Sequence, residues 1–413
     1  MKNKLFSIIL LFGLILNFSC GNSVTNPPED KETPPINLSA VEKKVVSANT
    51  NFGIPLFQKV VAEDAGKNVF ISPLSVSIAL GMALNGASGE TYTGIQQTLA
   101  LNGLSEDEIN QTYLNLNNEL TNLDPKVQFQ IANSIWYNQI FSFGQAFMDV
   151  NQQYFNAEVT GLDVTDSASG EKINNWVAEK THDKITEIVE LPLDPDIILY
   201  LINAIYFKGS WTYQFDPEYT LDDQFQSADG TSQACKMMTQ TNNFQYYEDE
   251  QLQAVDLPYG DEKFTMTIIL PKKEDGLDAV INGLTTDSWQ NMTSNFTEKE
   301  GTIQLPKFKL EYEITLNDIL SAMGMDIAFT GMADFSRIFP QGGLYISYVK
   351  HKTFVEVDEE GTEAAAVTII GFEVLSIEPS NTFRMRVDRP FLFVIREKEN
   401  GTLLFMGKVV SVE

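Results

Sequence analysis

Between Val357 and Arg384 the chain reads Asp358-Glu359-Glu360-Gly361-Thr362-Glu363-Ala364-Ala365-Ala366-Val367-Thr368-Ile369-Ile370, then Gly371-Phe372-Glu373-Val374-Leu375-Ser376-Ile377-Glu378-Pro379-Ser380-Asn381-Thr382-Phe383. It contains no Lys, Arg or His. By parity one face carries Thr362, Ala364, Ala366, Thr368, Ile370 and Phe372, and the other carries Glu363, Ala365, Val367, Ile369, Gly371 and Glu373. Both glutamates of this stretch, Glu363 and Glu373, fall on one face, the pattern of a strand with one side buried and one side wet. An ordinary sheet strand fits this pattern. As an exposed loop the segment would be an aggregation hazard, β-prone and free of proline from Glu359 to Glu378, and a long loop of this kind in a compact domain usually has a function.

The rest of the chain sets limits on that function. Its 413 residues are 43% hydrophobic, enough for a large packed core, and 28 Lys plus Arg against 56 Asp plus Glu leave a net charge of −28. Such a field repels phosphate and sulfate, which argues against nucleic acid and heparin-like polyanions as partners. Two cysteines, Cys20 and Cys235, and two histidines, His182 and His351, supply neither a disulfide scaffold nor a zinc site of three or four Cys/His ligands, and no cofactor is implied.

Residues 1–19 read as a secretory signal, with Lys2 and Lys4 before an apolar run too short to span a bilayer comfortably. A cysteine directly after such a run suggests a bacterial lipoprotein lipidated at Cys20 and held at the cell surface, although Asn17 stands where a lipobox wants a Leu-like residue. Plain secretion is the alternative. Residues 20–40, with Pro27, Pro28, Pro34 and Pro35, form a flexible tether, and residues 41–413 form one domain without a linker or repeat. Helical spacing is expected at 50–62, 73–84, 105–123 and 170–184, and strands at 127–136, 199–207, 264–270, 302–310, 352–357 and 391–396. Helices early and long strands late give an α+β fold with antiparallel or mixed sheets.

Enzyme signatures fail on inspection. Gly86-Ala87-Ser88-Gly89 misses the spacing of a nucleophile elbow, and Gly66-Lys67 lacks the rest of a phosphate loop. Asp358, Glu359, Glu360 and Gly361 lack the alternating oxygen ligands of a calcium loop. His182 reads as a solvated side chain and His351 as a hydrogen-bonded core histidine, so a Ser-His hydrolase has no motif to support it.

The run Glu359-Glu360-Gly361-Thr362-Glu363-Ala364-Ala365-Ala366 resembles the hinge of the reactive-centre loop of serpins. Further segments resemble the family in family order: Asn68-Val69-Phe70-Ile71-Ser72-Pro73-Leu74-Ser75, Asn203 to Trp211, Val255 to Tyr259, Leu305-Pro306-Lys307-Phe308, Asp388-Arg389-Pro390-Phe391 and Leu404 to Val409. The resemblance implies a serpin fold of three β-sheets, the largest five-stranded, with about eight or nine helices and an exposed loop. It implies no enzyme but an irreversible suicide inhibitor: a serine protease cuts the loop, is held as an acyl-enzyme, and is carried along as the freed strand enters the large sheet. Ser72, Ser75, Asn203 and His351 resemble the polar shutter cluster beneath that sheet. Trp211, Lys307 and Glu359 stand where the family builds its breach, the point at which the loop inserts.

In this family the hinge glycine is usually the fifteenth residue on the acyl side of the scissile bond. With Gly361 as fifteenth, the bond is Leu375-Ser376, with Phe372 or Val374 as alternative sites. A leucine suits chymotrypsin-, elastase- or subtilisin-like enzymes, and the loop offers no cation for a trypsin-like pocket. Two other readings stand beside this one: a non-inhibitory serpin acting as a binding protein or protease substrate, and an inhibitor of papain-like cysteine proteases. The chain is expected to be a monomer whose partner is the protease it traps.

Overall fold

The computed structural model describes residues 38–362 and 382–412. Cys20, the hinge residues Glu363, Ala364, Ala365 and Ala366, and the Leu375-Ser376 bond lie outside the described residues. Helix starts follow local chemistry. The Ser39 hydroxyl accepts from Glu42 N–H while the Glu42 carboxylate accepts from Ser39 N–H at 2.7 Å, a capping box that opens α1 (Ala40–Glu63). A cap of this kind contributes about 1 kcal/mol, and it starts the helix ten residues before the expected 50. Ser72 caps α2 (Pro73–Leu84) with Pro73 at its first position, and every residue of that helix except Ala79 is buried. The other helices are α3 (Gly89–Thr98), α4 (Glu106–Asn122), α5 (Gln145–Phe155), α6 (Ser167–Lys180), α7 (Leu277–Gly283), α8 (Thr286–Ser294) and α9 (Asn317–Leu320). The expected helix ending at 184 stops at Lys180, because His182 and Asp183 adopt left-handed backbone, φ +50° and +62°.

The strands are β1 (Val69–Ile71), β2 (Val127–Asn138), β3 (Glu158–Leu162), β4 (Leu199–Ser210), β5 (Leu221–Gln226), β6 (Ser232–Glu248), β7 (Leu252–Tyr259) and β8 (Phe264–Pro271). They continue with β9 (Thr297–Pro306), β10 (Phe308–Thr315), β11 (Lys350–Val357), β12 (Gly361–Thr362), β13 (Phe383–Arg386), β14 (Phe391–Glu397) and β15 (Leu403–Val409). The single strand expected at 302–310 is therefore two. Pro306 has no N–H to extend the ladder, and at Lys307, whose N–H bonds Lys236 O, the chain leaves one sheet for the other.

A nine-stranded sheet runs β1-β15-β14-β8-β7-β6-β9-β13, with β5 also on β6. It unites the two smaller sheets of the expected three, because β6 pairs with β5 over Ser232 to Met237, with β9 over Met237 to Tyr246 and with β7 over Gln245 to Glu248. The second sheet runs β10-β11-β12-β4-β2-β3. Among the described residues β4 and β11 are joined only through the two-residue β12. Both faces of this sheet are covered. Along β4, Ile205 and Phe207 belong to the main core, while Tyr200, Ile202 and Ala204 pack with Ile173, Trp176 and Val177 of α6.

Candidate functional site

The line between β4 and β11 is a slot one strand wide, and β12 occupies its mouth. Gly361 sits opposite Ser210, and Thr362 sits opposite Gly209 on one side and Val357 on the other. A Cβ on Gly361 would stand 2.1 Å from the Gly209 carbonyl oxygen, so only glycine allows the backbones to approach. Thr362 is 2% exposed and its hydroxyl lies 2.6 Å from the Tyr259 hydroxyl. Burial pushes the Tyr259 phenol well above its ordinary range, opposed in part by the Thr362 hydrogen bond, so it stays a neutral partner.

The Tyr259 ring stacks on Trp211 at 4.4 Å and 17°. Trp211 then holds the turn before β12: its indole N–H donates to Asp358 O and its backbone N–H to Glu360 O, both at 2.9 Å. The Asp358 carboxylate accepts from Glu360 N–H at 2.9 Å and Gly361 N–H at 3.2 Å, an Asx-type turn. Lys307 Nζ lies 2.7 Å from Glu359 Oε2. Burial works to raise the Glu359 carboxyl, but the hydrogen bond and charge of Lys307 and a backbone N–H hold it below the usual range. Lys307 is 39% exposed, so this pair contributes no more than about 1 kcal/mol and serves mainly to fix the turn. Trp211, Lys307 and Glu359 are thus brought together around the mouth. Tyr259, read only as the end of the Val255–Tyr259 segment, and Asp358, weighed only for a calcium loop, complete the cluster. The Asp-x-x-Gly spacing was a usable turn signal for Asp358, whereas nothing in the sequence marks Tyr259 as the partner of Thr362.

Farther along the slot, Ser72, Ser75, Asn203 and His351 form one network. Ser72 N–H donates to His351 Nε2 at 2.9 Å, and the Ser72 hydroxyl donates to Leu404 O at 2.6 Å while accepting Ser75 N–H at 3.2 Å. The Ser75 hydroxyl donates to Asn203 Oδ1, and Asn203 Nδ2 donates to Asn133 Oδ1 at 2.7 Å. Asn133, which sequence reading passed over, ends the chain by donating to Phe155 O at 2.7 Å. Burial pushes His351 down to about 4, so its imidazole is neutral and its Nε2 is an acceptor. That lone pair is taken by a backbone N–H, and the Ser72 proton goes to a carbonyl, so no Ser-His nucleophile pair exists here. His182 is exposed, with Nε2 3.3 Å from Gln128 Nε2 and from Gln130 Oε1. Beyond the network an apolar cavity of about 130 Å³ lies between the strands, lined by Leu201, Ile202, Val349 and, from the α6 side, Val177 and Ile185.

Residues 47–412 match the serpin (serine protease inhibitor) family. Iripin-2 of Ixodes ricinus is 36% identical over 374 residues, 89% of this chain and 94% of its own. Serpin B4 of Homo sapiens is 33% identical over 88% of this chain and 98% of its own. The native-state structure of tengpin, a thermophilic serpin, superposes with a TM-score of 0.82 at 32% identity, over 92% of this chain and 97% of its own. Human thyroxine-binding globulin complexed with thyroxine gives 0.81 at 28%, over 90% and 100%. With an α+β architecture, Gly361 and Thr362 seated between β4 and β11, and these likenesses over nearly the whole chain, the protein belongs to the serpin family.

Proposed function

We propose that this serpin is an irreversible suicide inhibitor of serine proteases with apolar primary specificity, of the chymotrypsin, elastase or subtilisin type. The observation that carries the reading is β12: Thr362 is already buried and paired on both sides of the slot. In the proposed reaction the protease serine attacks the Leu375 carbonyl, the amine of Ser376 leaves, and Leu375 stays bound to the enzyme as an ester. The chain upstream of the cut then continues β12.

The register supports this reading. Partner numbers total 571 against β4 (361 with 210, 362 with 209) and 719 against β11 (362 with 357). A strand keeping that register would face Leu199, the first residue of β4, with Phe372, and would set Ala364, Ala366, Thr368 and Ile370 toward the main core. Small residues enter first and large apolar ones last. Each new ladder hydrogen bond contributes about 1 kcal/mol and burial of Ile370 or Phe372 about 1.5–3 kcal/mol, so a dozen residues can exceed ~10 kcal/mol. An SDS gel after mixing with chymotrypsin or elastase tests the proposal. A covalent band heavier than the chain is expected, and cleavage without that band would refute it; mass spectrometry of the released fragment should find Ser376 at its start.

One observation favours a second reading, a serpin that carries a small ligand. A polar cleft of about 590 Å³ is lined by Lys43, Gln245, Trp289, Asp256 and Arg396, the last two buried and paired at 2.5 Å. Binding without loss of loop cleavage would mark that reading. For placement we propose the cell surface with lipid on Cys20, expected to appear as fatty-acid labelling that Cys20→Ser abolishes.

A further inference from the structure

Between β4 and β5 the chain makes a stiff turn beside the mouth of the slot. Phe215 is buried with its ring 6.4 Å from that of Trp211, and its N–H donates to Glu359 O at 2.9 Å. Thr212 N–H donates to Pro258 O at 2.8 Å and its hydroxyl to Gly260 O at 3.0 Å. The Asp216 carboxylate accepts from Glu218 N–H at 2.9 Å and opens a single tight helical turn, Pro217–Tyr219, that leads into β5. On this fixed backbone Tyr213, Tyr219 and Leu221 are 43%, 50% and 65% exposed. Of the seven large apolar side chains exposed among the described residues, these three fall within one nine-residue segment. Gln240 Nε2 donates to Tyr213 O at 3.3 Å and Met237 stands opposite Leu221, so three residues of β6, about 10 Å, separate the two ends of the group.

Single exposed apolar residues are ordinary on a protein surface, but a cluster of them marks a contact surface. Tyrosines on a rigid support give a large contact area at small entropic cost, and they are among the side chains that dominate binding energy at interfaces. The charges around the cluster are negative. Asp216, Glu218 and Asp222 are exposed, Lys236 is paired with Asp222 at 2.7 Å, and the Tyr213 hydroxyl faces Glu262 Oε1 at 3.4 Å. We propose that Tyr213, Tyr219 and Leu221 form an exosite, a second contact surface for the target protease apart from the loop. It fits an enzyme with an apolar surface loop ringed by Lys and Arg beside its active-site cleft. The place of the cluster supplies the occupant. An enzyme that cuts the chain downstream of Thr362 comes to the side of the molecule where Glu359 and Glu360 are pinned to Phe215 and Trp211, and the cluster begins there. The acidic rim, in a chain of net charge −28, steers a cationic enzyme toward this side and repels an anionic one. The exosite acts on capture and leaves the later entry of the strand alone. This inference rests on the inhibitor reading above for its partner, and it adds a surface that selects among proteases of one primary specificity.

The test measures the second-order rate at which chymotrypsin, a cationic enzyme, consumes the intact full chain, and the ratio of covalent complex to cleaved chain, both on SDS gels. Y213A/Y219A/L221S is expected to slow consumption at least about tenfold while the ratio stays within about twofold of the parent's. Y213F/Y219F, which keeps both rings, should react at the parent's rate. E218K/D222K should slow the reaction at least about fivefold at ~0.02 M salt and less than about twofold at ~0.5 M, where screening confines each charge to a few ångströms. An unchanged rate for the triple variant would overturn the exosite. So would a ratio that falls as far as the rate, because the side chains would then be serving strand entry at the slot mouth. A low-salt rate for E218K/D222K equal to the parent's would overturn the cationic partner. Should chymotrypsin cleave every chain without a covalent band, the inhibitor reading falls, while the exosite is still decided by the rate of cleavage alone. Melting temperatures within about 2 °C of the parent's check that each variant keeps its fold.

Discussion

Replacing Thr362 by Arg puts a guanidinium at a position that is 2% exposed and enclosed by Gly209, Val357 and the Tyr259 hydroxyl. Loss of the Thr362 hydroxyl leaves a buried phenol without its partner, at about 1–3 kcal/mol. Burial of an unpaired cation adds several kcal/mol more. A total of at least about 4 kcal/mol against the seated hinge corresponds to nearly a thousandfold in its occupancy of the slot, since ~1.4 kcal/mol is tenfold. The hinge should be expelled into solvent, where the arginine is content and the intact chain loses little stability. After cleavage the strand must then begin from an empty mouth and drive the same charge inward, while the acyl-enzyme remains open to water. We expect the covalent complex with chymotrypsin to fall at least about tenfold and intact protease plus cleaved chain to replace it. Thr362→Ser, which keeps the hydroxyl and loses one methyl, should differ from the parent by less than about 1 kcal/mol in effect. Trapping by the Arg variant at the parent's efficiency would refute the argument, because it would mean that burial of residue 362 is not part of the path.

Cutting the loop should raise the melting temperature by about 10 °C, given ~10 kcal/mol released and an unfolding entropy that makes each kcal/mol worth about 1 °C in a chain of this size; differential scanning calorimetry of intact and cleaved protein would show it, and equal values would remove the stored energy. His351 stays neutral in the fold down to about 4, against 6.5 in an open chain, so the unfolded state takes up its proton first as pH falls. Its contribution is therefore complete above about 6.5 and lost between 6.5 and 4, amounting to about 2 kcal/mol by pH 5. His351→Gln should flatten that part of the melting profile. Gly361→Ala would force a Cβ to within 2.1 Å of Gly209 O, and so should expel β12 and raise the fraction of cleaved, untrapped chain on gels.

Much of this was legible in the chain because periodicity and capping are local. The helix from Pro73 to Leu84 is marked at its first residue by Ser72-Pro73, and the placing of Thr362 on the face without glutamates agrees with its burial. The misread boundaries have equally local causes. The Ser39/Glu42 box lay outside the apolar spacing used to place the first helix, and Pro306-Lys307 was taken as strand interior where it is a change of sheet. Contacts between distant segments left no such mark. Tyr259 and Thr362 are 103 residues apart, and His182, Tyr206, Lys184 and Phe354 meet only when α6 folds back over the slot.

The polar network beneath the slot ties both of its walls to one helix start. If the proposed strand kept the β12 register, Thr368 would face Asn203 on one wall and His351 on the other, since 571 less 203 and 719 less 351 are both 368. Asn203 and His351 belong to opposite walls, yet neither relies on the other for its hydrogen bonds. His351 is satisfied by Ser72 N–H and Asn203 by the Ser75 hydroxyl and Asn133, all on the core side of the sheet. Ser72 and Ser75 lie in one turn at the capped start of α2, so both walls are tied to a single rigid element. A further parting of β4 and β11 by a strand spacing would break one of these bonds and orphan a buried imidazole or amide, at about 1–3 kcal/mol. At the present spacing both bonds stand, and a threonine hydroxyl arriving between the walls would find polar partners already in place.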